Sequence, residues 1–203
     1  MREFLSAEFD VLYLVPGALA IVLQLLVWLW IRRRRSRPLT MASAFSTVAF
    51  ERIDNLIVPN ADEGEIQIDH LLLTPNGLLV LDVKDVYGTV FGSDKMQDWT
   101  VISEERRFTF ANPQPALYDR IAAVRAIVRQ VPVSGRILFL SGAKFTKGVS
   151  GLVCTLEQLV EEFGEADKAT AKVKVEAFKP HWEMIRKRSV AGPQARLMRY
   201  RHV

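Results

Sequence analysis

The sequence predicts a mixed α and β domain carried behind one N-terminal membrane-crossing helix, and three observations carry that reading. Residues 11–31 run without a charged side chain. Residues 64–84 read as two apolar strands joined by a Pro75-Asn76-Gly77 turn. Residues 113–130 and 155–163 place apolar side chains at helical rather than alternating spacing.

The N-terminal run, Val11 to Ile31, would be roughly 31 Å long as a helix, close to the thickness of a bilayer's hydrocarbon core. Pro16 and Gln24 are tolerable there, and Tyr13 near one end with Trp28 and Trp30 near the other suit interfacial aromatic belts. A cleaved leader fits less well, because Arg2 stands against Glu3, Glu8 and Asp10, the reverse of a basic first segment. Arg32, Arg33, Arg34, Arg35 and Arg37 follow the span at once. Positive charge stays inside, so residues 1–10 are expected outside and everything after the span in the cytoplasm, at a bacterial-type inner (plasma) membrane. The same arginines account for the basicity. Of 27 basic residues 22 remain without these five, against 23 acidic, so the formal charge of +4 argues for a membrane anchor rather than a nucleic-acid surface. Cys154 is the single cysteine, which excludes an intramolecular disulfide and agrees with a reducing compartment.

Residues 32–40 form a basic linker in which Pro38 stops the first helix. A globular domain is expected over 41–180. Thr40 is placed to cap a helix from Met41 to about Glu51, and Asp54–Val58 reads as a first strand ended by Pro59. In the hairpin that follows, Pro75 presets a turn φ and Asn76 tolerates it, while Gly77 can take positive φ. A symmetric two-residue turn sets Asp69 opposite Asp82; a glycine bulge would shift that register by one residue. Val86–Phe91 is expected as a third strand, and Trp99–Ile102 and Arg107–Phe110 as two short, more exposed ones. Asn112-Pro113 opens a helix to about Gln130, with Leu117, Ile121, Val124 and Ile127 on one face. Arg136–Leu140 is an apolar strand, and Thr155 with Gln158 forms a capping box for a helix to Phe163. A last strand is expected near Lys172–Phe178, then a basic tail over 181–203 that starts helical.

The chemistry concentrates on the hairpin. Asp69 opens its first strand, and Asp82 and Lys84 close its second, on one face because side chains alternate with period two. Two adjacent carboxylates repel, and a divalent cation relieves that repulsion. Magnesium favours oxygen donors, and Asp69, Asp82 and the backbone carbonyl of Val83 are suitable ones. Lys84 is placed to orient or deprotonate a water and to offset charge on a phosphate. Taken bare, so short and common a pattern reads first as ordinary strand ends with a surface ion pair. His70 should point to the opposite face as a packed histidine. Trp99 reads as packing rather than a base-stacking platform, and Cys154 as inert core. Lys144, Lys147, Arg186, Lys187, Arg188, Arg196, Arg199 and Arg201 are candidate phosphate contacts, with a solvated surface as the plainer reading except for the C-terminal group, where the two readings stand even.

The surrounding string is more specific. Asp54-Asn55-Leu56, Gln67-Ile68-Asp69-His70, Gly77 through Lys84, Gly88, Gly92, Trp99 and Asn112-Pro113 occur in that order. Together, over about Asp54 to Val131, they resemble the NERD (nuclease-related) domain of the PD-(D/E)xK nuclease-like superfamily. The resemblance implies a restriction-endonuclease-like α/β core, a mixed central sheet flanked by helices. It also implies a role in DNA processing (RNA being possible), with Mg²⁺ or Mn²⁺ held by Asp69 and Asp82, Lys84 catalytic, and Gln67 lining the same site. The acid that the family carries near the start of its first helix is missing around Ser36, leaving Glu51 as a weak substitute metal ligand. Ala116 stands where the family has a glutamine, with Gln114 nearby but out of register. These departures favour an alternative: a membrane-tethered nucleic-acid-binding or scaffold domain that keeps the fold without turnover.

Overall fold

The computed structural model describes residues 22–28, 39–59, 64–146, 149–164 and 167–191. The chain divides into two compact units, Met1–Pro38 and Leu39–Val203. In the first, residues 22–28 are helical, with Val22, Leu23, Leu25 and Leu26 exposed. The rest of the expected span at 11–31 and the arginine cluster after it lie outside the described residues. Among the described residues, no helix is long and apolar enough to cross a membrane.

The second unit is a mixed α/β domain. Its main sheet has six strands: β1 (Glu51–Pro59), β2 (Glu65–Thr74), β3 (Gly77–Lys84), β7 (Val133–Phe139), β9 (Val153–Cys154) and β10 (Val190–Ala191), in the order β10-β1-β2-β3-β7-β9. β1, β2 and β3 pair antiparallel, whereas β3, β7 and β9 run parallel, so the sheet is mixed. Parallel pairing needs a long crossover. The one between β3 and β7 carries β4 (Gly88–Phe91), β5 (Asp98–Ile102), β6 (Arg107–Ala111) and helix α2 (Pro113–Ile127). β4, β5 and β6 join β8 (Ala143–Phe145) in a second, four-stranded sheet, so the expected third strand belongs to a separate layer and begins at Gly88 rather than Val86. The expected exposure holds for β6, none of whose residues is buried, and is corrected for β5. Trp99 and Val101 are fully buried, Trp99 stacking on Phe139 and Val101 sharing the same core.

Both faces of the main sheet are covered, which accounts for the hairpin's nearly continuous apolar sequence. On one face α1 (Met41–Val48) and α3 (Leu156–Phe163) pack Phe45, Val48, Leu159 and Phe163 over Leu72, Leu79, Leu81 and Leu138. On the other, α2 and α4 (Lys168–Arg188) bring Leu117, Val124, Trp182 and Ile185 over Leu71, Leu73, Val80 and Ile137. Gly135 on β7 lets α2 come close, since a Cβ there would lie 2.6 Å from Ile121 Cδ1. Thr155 and Gln158 form the expected capping box, and Thr40 caps α1 through a second box with Ser43.

The strand expected at Lys172–Phe178 is instead part of α4, which runs unbroken through residue 180 to Arg188. Lys-Val-Lys-Val-Glu alternates like a strand, yet Val173 is 73% exposed while Ala171, Val175, Trp182 and Ile185 are buried. The longer helical period outweighs the short alternation.

Candidate functional site

The hairpin turn fixes the geometry that follows. Pro75 and Asn76 are the two turn residues, Thr74 pairs with Gly77, and Thr74 Oγ1 donates to the Gly77 carbonyl at 2.9 Å. Gly77 has φ +115°, and a Cβ there would lie 2.3 Å from the Pro132 carbonyl oxygen. The turn is therefore the symmetric one, and the ladder runs Leu73↔Leu78, Leu72↔Leu79, Leu71↔Val80 and His70↔Leu81. The next rung would set Asp69 against Asp82, and there the pairing stops.

The cause lies one strand over. Asn55 on β1 has φ +51°, the left-handed conformation, which asparagine tolerates better than other residues bearing a side chain. β1 and β2 pair on either side of it, at Asp54↔His70 and Leu56↔Ile68, but not at Asn55 and Asp69. Side-chain alternation inverts across this point. Ile53, Leu71 and Leu73 face the α2–α4 core before it, and Leu56, Val58, Ile66 and Ile68 face the same core after it. The β2–β3 ladder ends where this kink lies.

The predicted residues gather at the opening. Asp69 Oδ2 accepts the Val83 N–H at 3.3 Å, so a side chain occupies the place of a ladder bond. Asp82 is buried, and Lys84 Nζ lies 2.7 Å from its Oδ1. That contact is an ion pair outside hydrogen-bond geometry, and Oδ1 has no hydrogen-bond partner. The sequence reading missed Arg120. It reaches from α2 to pair with Asp82 Oδ2 at 3.2 Å and donates from Nε to the Gln67 carbonyl at 2.8 Å. It lies three residues past Leu117 and four before Val124, on the buried stripe of α2. An arginine on an otherwise apolar helix stripe was the available signal, since such a charge needs a partner.

Other candidates are placed elsewhere. Gln67 meets the site through its backbone carbonyl, and its side chain is exposed. Glu51 is not brought to the site. It pairs across β2 with Leu73, near the turn, and accepts the Trp182 Nε1–H at 2.8 Å. His70 is on the opposite face, edge-on to Phe45, with Nδ1 2.7 Å from Asp54 Oδ1; Arg52 holds the other Asp54 oxygen at 3.3 Å. Gln114 is a buried tie between loops, donating to Asp94 Oδ1 at 3.1 Å and accepting from Ser150 Oγ at 3.2 Å. Cys154 is buried. Burial pushes its thiol up to about 12; Arg136 nearby lowers it only in part, and Glu162 adds to the rise. Lys144 lies on β8, while Arg186, Lys187 and Arg188 form the last turn of α4. Lys147, Arg196, Arg199 and Arg201 lie outside the described residues.

Fold and site thus define a mixed α/β domain whose sheet opens around a buried carboxylate flanked by two cations. Residues 44–140 match the family model of NERD, the nuclease-related domain. An uncharacterized protein of Bacillus anthracis is 27% identical over 90 residues, which span 44% of this chain and 42% of the relative. No solved structure gives a significant match.

Proposed function

We propose that this chain is a membrane-anchored nuclease-related protein that hydrolyses phosphodiester bonds in nucleic acid, DNA before RNA, on the cytoplasmic face of a bacterial-type inner membrane. The nuclease-related domain supports the substrate class. The anchor and its orientation rest on the uncharged run at 11–31 and the arginines after it. The observation that carries the chemistry is Asp82, a buried carboxylate with one oxygen free of hydrogen bonds, where the sheet opens.

The donors present suit a single Mg²⁺ or Mn²⁺. Magnesium commonly binds through one or two carboxylates and keeps several waters, and Asp82, Asp69 and the Val83 carbonyl fit that demand. Among the described residues no group of three acidic, histidine or cysteine side chains gathers. When bound, the ion supplies neutralisation of phosphate charge and a more acidic water. Lys84, 29% exposed and held at Asp82, orients that water or takes its proton and offsets charge on the phosphate. The test is cleavage of single- and double-stranded DNA and RNA by the purified full chain with Mg²⁺ or Mn²⁺. Asp82→Ala and Lys84→Ala should each remove the activity, by about a hundredfold or more for a group acting on transition-state charge. Metal-dependent cleavage that survives both substitutions would overturn the reading.

One observation favours a second reading, a domain that binds nucleic acid without turnover. Asp82 already has two cations, and among the described residues no third acid joins it and Asp69. Salt-sensitive binding of DNA or RNA, with no cleavage under any metal, would select it.

A further inference from the structure

We propose that Arg120 is the built-in counter-ion of the metal site, exchanging Asp82 for a substrate phosphate when a divalent cation binds. This rests on the metal reading above and assigns a role to a residue that reading does not use. Arg120 spans the opening, with Nε on the Gln67 carbonyl of β2 at 2.8 Å and Nη1 on Asp82 Oδ2 of β3 at 3.2 Å. No ladder bond joins the two strands there, and the guanidinium bridges them beside the Asp69–Val83 contact.

The charges at the opening balance as they stand. Asp69 and Asp82 carry two negative charges, and Lys84 and Arg120 carry two positive ones. A divalent cation placed among them leaves an excess, and the site relieves it by releasing a cation from Asp82. Arg120 is the one placed to leave. Its contact is the longer of the two ion pairs, and its Nε anchor does not depend on Asp82. Its side chain is 20% exposed, enough for a rotated guanidinium to reach solvent. A guanidinium held by Nε still offers its two outer nitrogens, the geometry that pairs with a phosphate. Arg120 thus shields Asp82 before metal arrives and pairs with the phosphodiester afterwards.

The test is Mn²⁺ affinity of the full chain, read by electron paramagnetic resonance or calorimetry without substrate. Arg120→Met keeps the aliphatic stem and removes the charge, and should tighten Mn²⁺ binding by about tenfold or more, as loss of a neighbouring like charge predicts. Arg120→Lys keeps the charge and should restore weaker, wild-type-like affinity, an outcome that a purely structural role would not give. Should Arg120→Met fail to fold, Arg120→Gln replaces it, retaining a donor for the Gln67 carbonyl. Tighter binding in the neutral variant supports the exchange, including the case where the wild type binds too weakly to detect. Equal or weaker binding in a folded neutral variant overturns it and leaves the metal reading standing. If neither wild type nor variant binds Mn²⁺, both fail together.

Discussion

The two ends of the β2–β3 hairpin are built from the same strands and behave differently. At the turn end, four rungs from Leu73↔Leu78 to His70↔Leu81 pair in register, and Leu71, Leu72, Leu73, Leu78, Leu79, Val80 and Leu81 are buried against helices on both faces. At the far end pairing stops, Asp69 bonds to backbone, and Asp82 is neutralised by side chains from its own strand and from α2. The turn end gains from every residue it buries. The far end keeps a charge in the interior, which costs stability unless paired, and it forgoes the β2–β3 ladder bonds, although β3 stays paired with β7 through Lys84. Costs concentrated at one point are the pattern expected of a functional surface, and that pattern marks this end as the candidate site.

Truncating the strong end should have the largest effect. Leu79 is fully buried between α1 and α3, and Leu79→Ala removes packing whose loss commonly costs about 2–5 kcal/mol. Chemical denaturation of the full chain should show that loss. A cost below about 1 kcal/mol would break the contrast, because the turn end would then not be the stability centre.

Asn55 comes next, since the difference between the ends hinges on it. Asn55→Val puts a β-branched side chain at φ +51° and should cost about 1–2 kcal/mol. If stability instead rises, β1 has straightened, and the kink was strain maintained for the opening rather than required by the core.

A smaller effect is expected at Asp69. Asp69→Ala removes the bond to the Val83 N–H, worth about 1 kcal/mol at most for so long a contact. Amide exchange should locate the change. The Val83 amide should exchange faster in the variant, with Leu79 and Leu81 unaffected. Equal acceleration at all three would mean that the ends are not separable units.

What the sequence made legible is local. The turn residues narrowed the register to two choices, of which the symmetric one formed, the Thr155–Gln158 box marked a helix start, and the Asp82–Lys84 spacing put both side chains on one face. What it left hidden depends on partners far along the chain. Nothing near Asn55 announces a left-handed residue in mid-strand, because the sheet around it imposes that conformation. Arg120 acquires its role only when α2 crosses β2 and β3, and the separation of β4, β5 and β6 into a second sheet depends on how the crossover packs. Lys172–Phe178 misled for the opposite reason. Its local alternation is clear, but the apolar positions before and after it belong to one helical stripe.

The smallest effect at neutral pH is at Cys154, and it tests how far the opening extends across the sheet. Cys154 pairs with Leu138, and Leu138 pairs with Val83, so the thiol lies two strands from the point where the ladder fails. Burial holds its pKa near 12 in the folded protein, against 9.0 for an unperturbed thiol. Below about pH 8 the thiol is essentially protonated in both states and contributes nothing to pH dependence. Above it the unfolded chain releases this proton and the folded chain does not, so stability falls as pH rises toward 12. Cys154→Ala removes that slope while carrying a fixed packing cost, so its deficit against the wild type should shrink between about pH 8 and 10.5. A constant deficit would mean that the folded thiol titrates freely. The opening at Asp82 would then reach across β7 to the sheet edge, and the difference between the hairpin's ends would belong to the whole sheet.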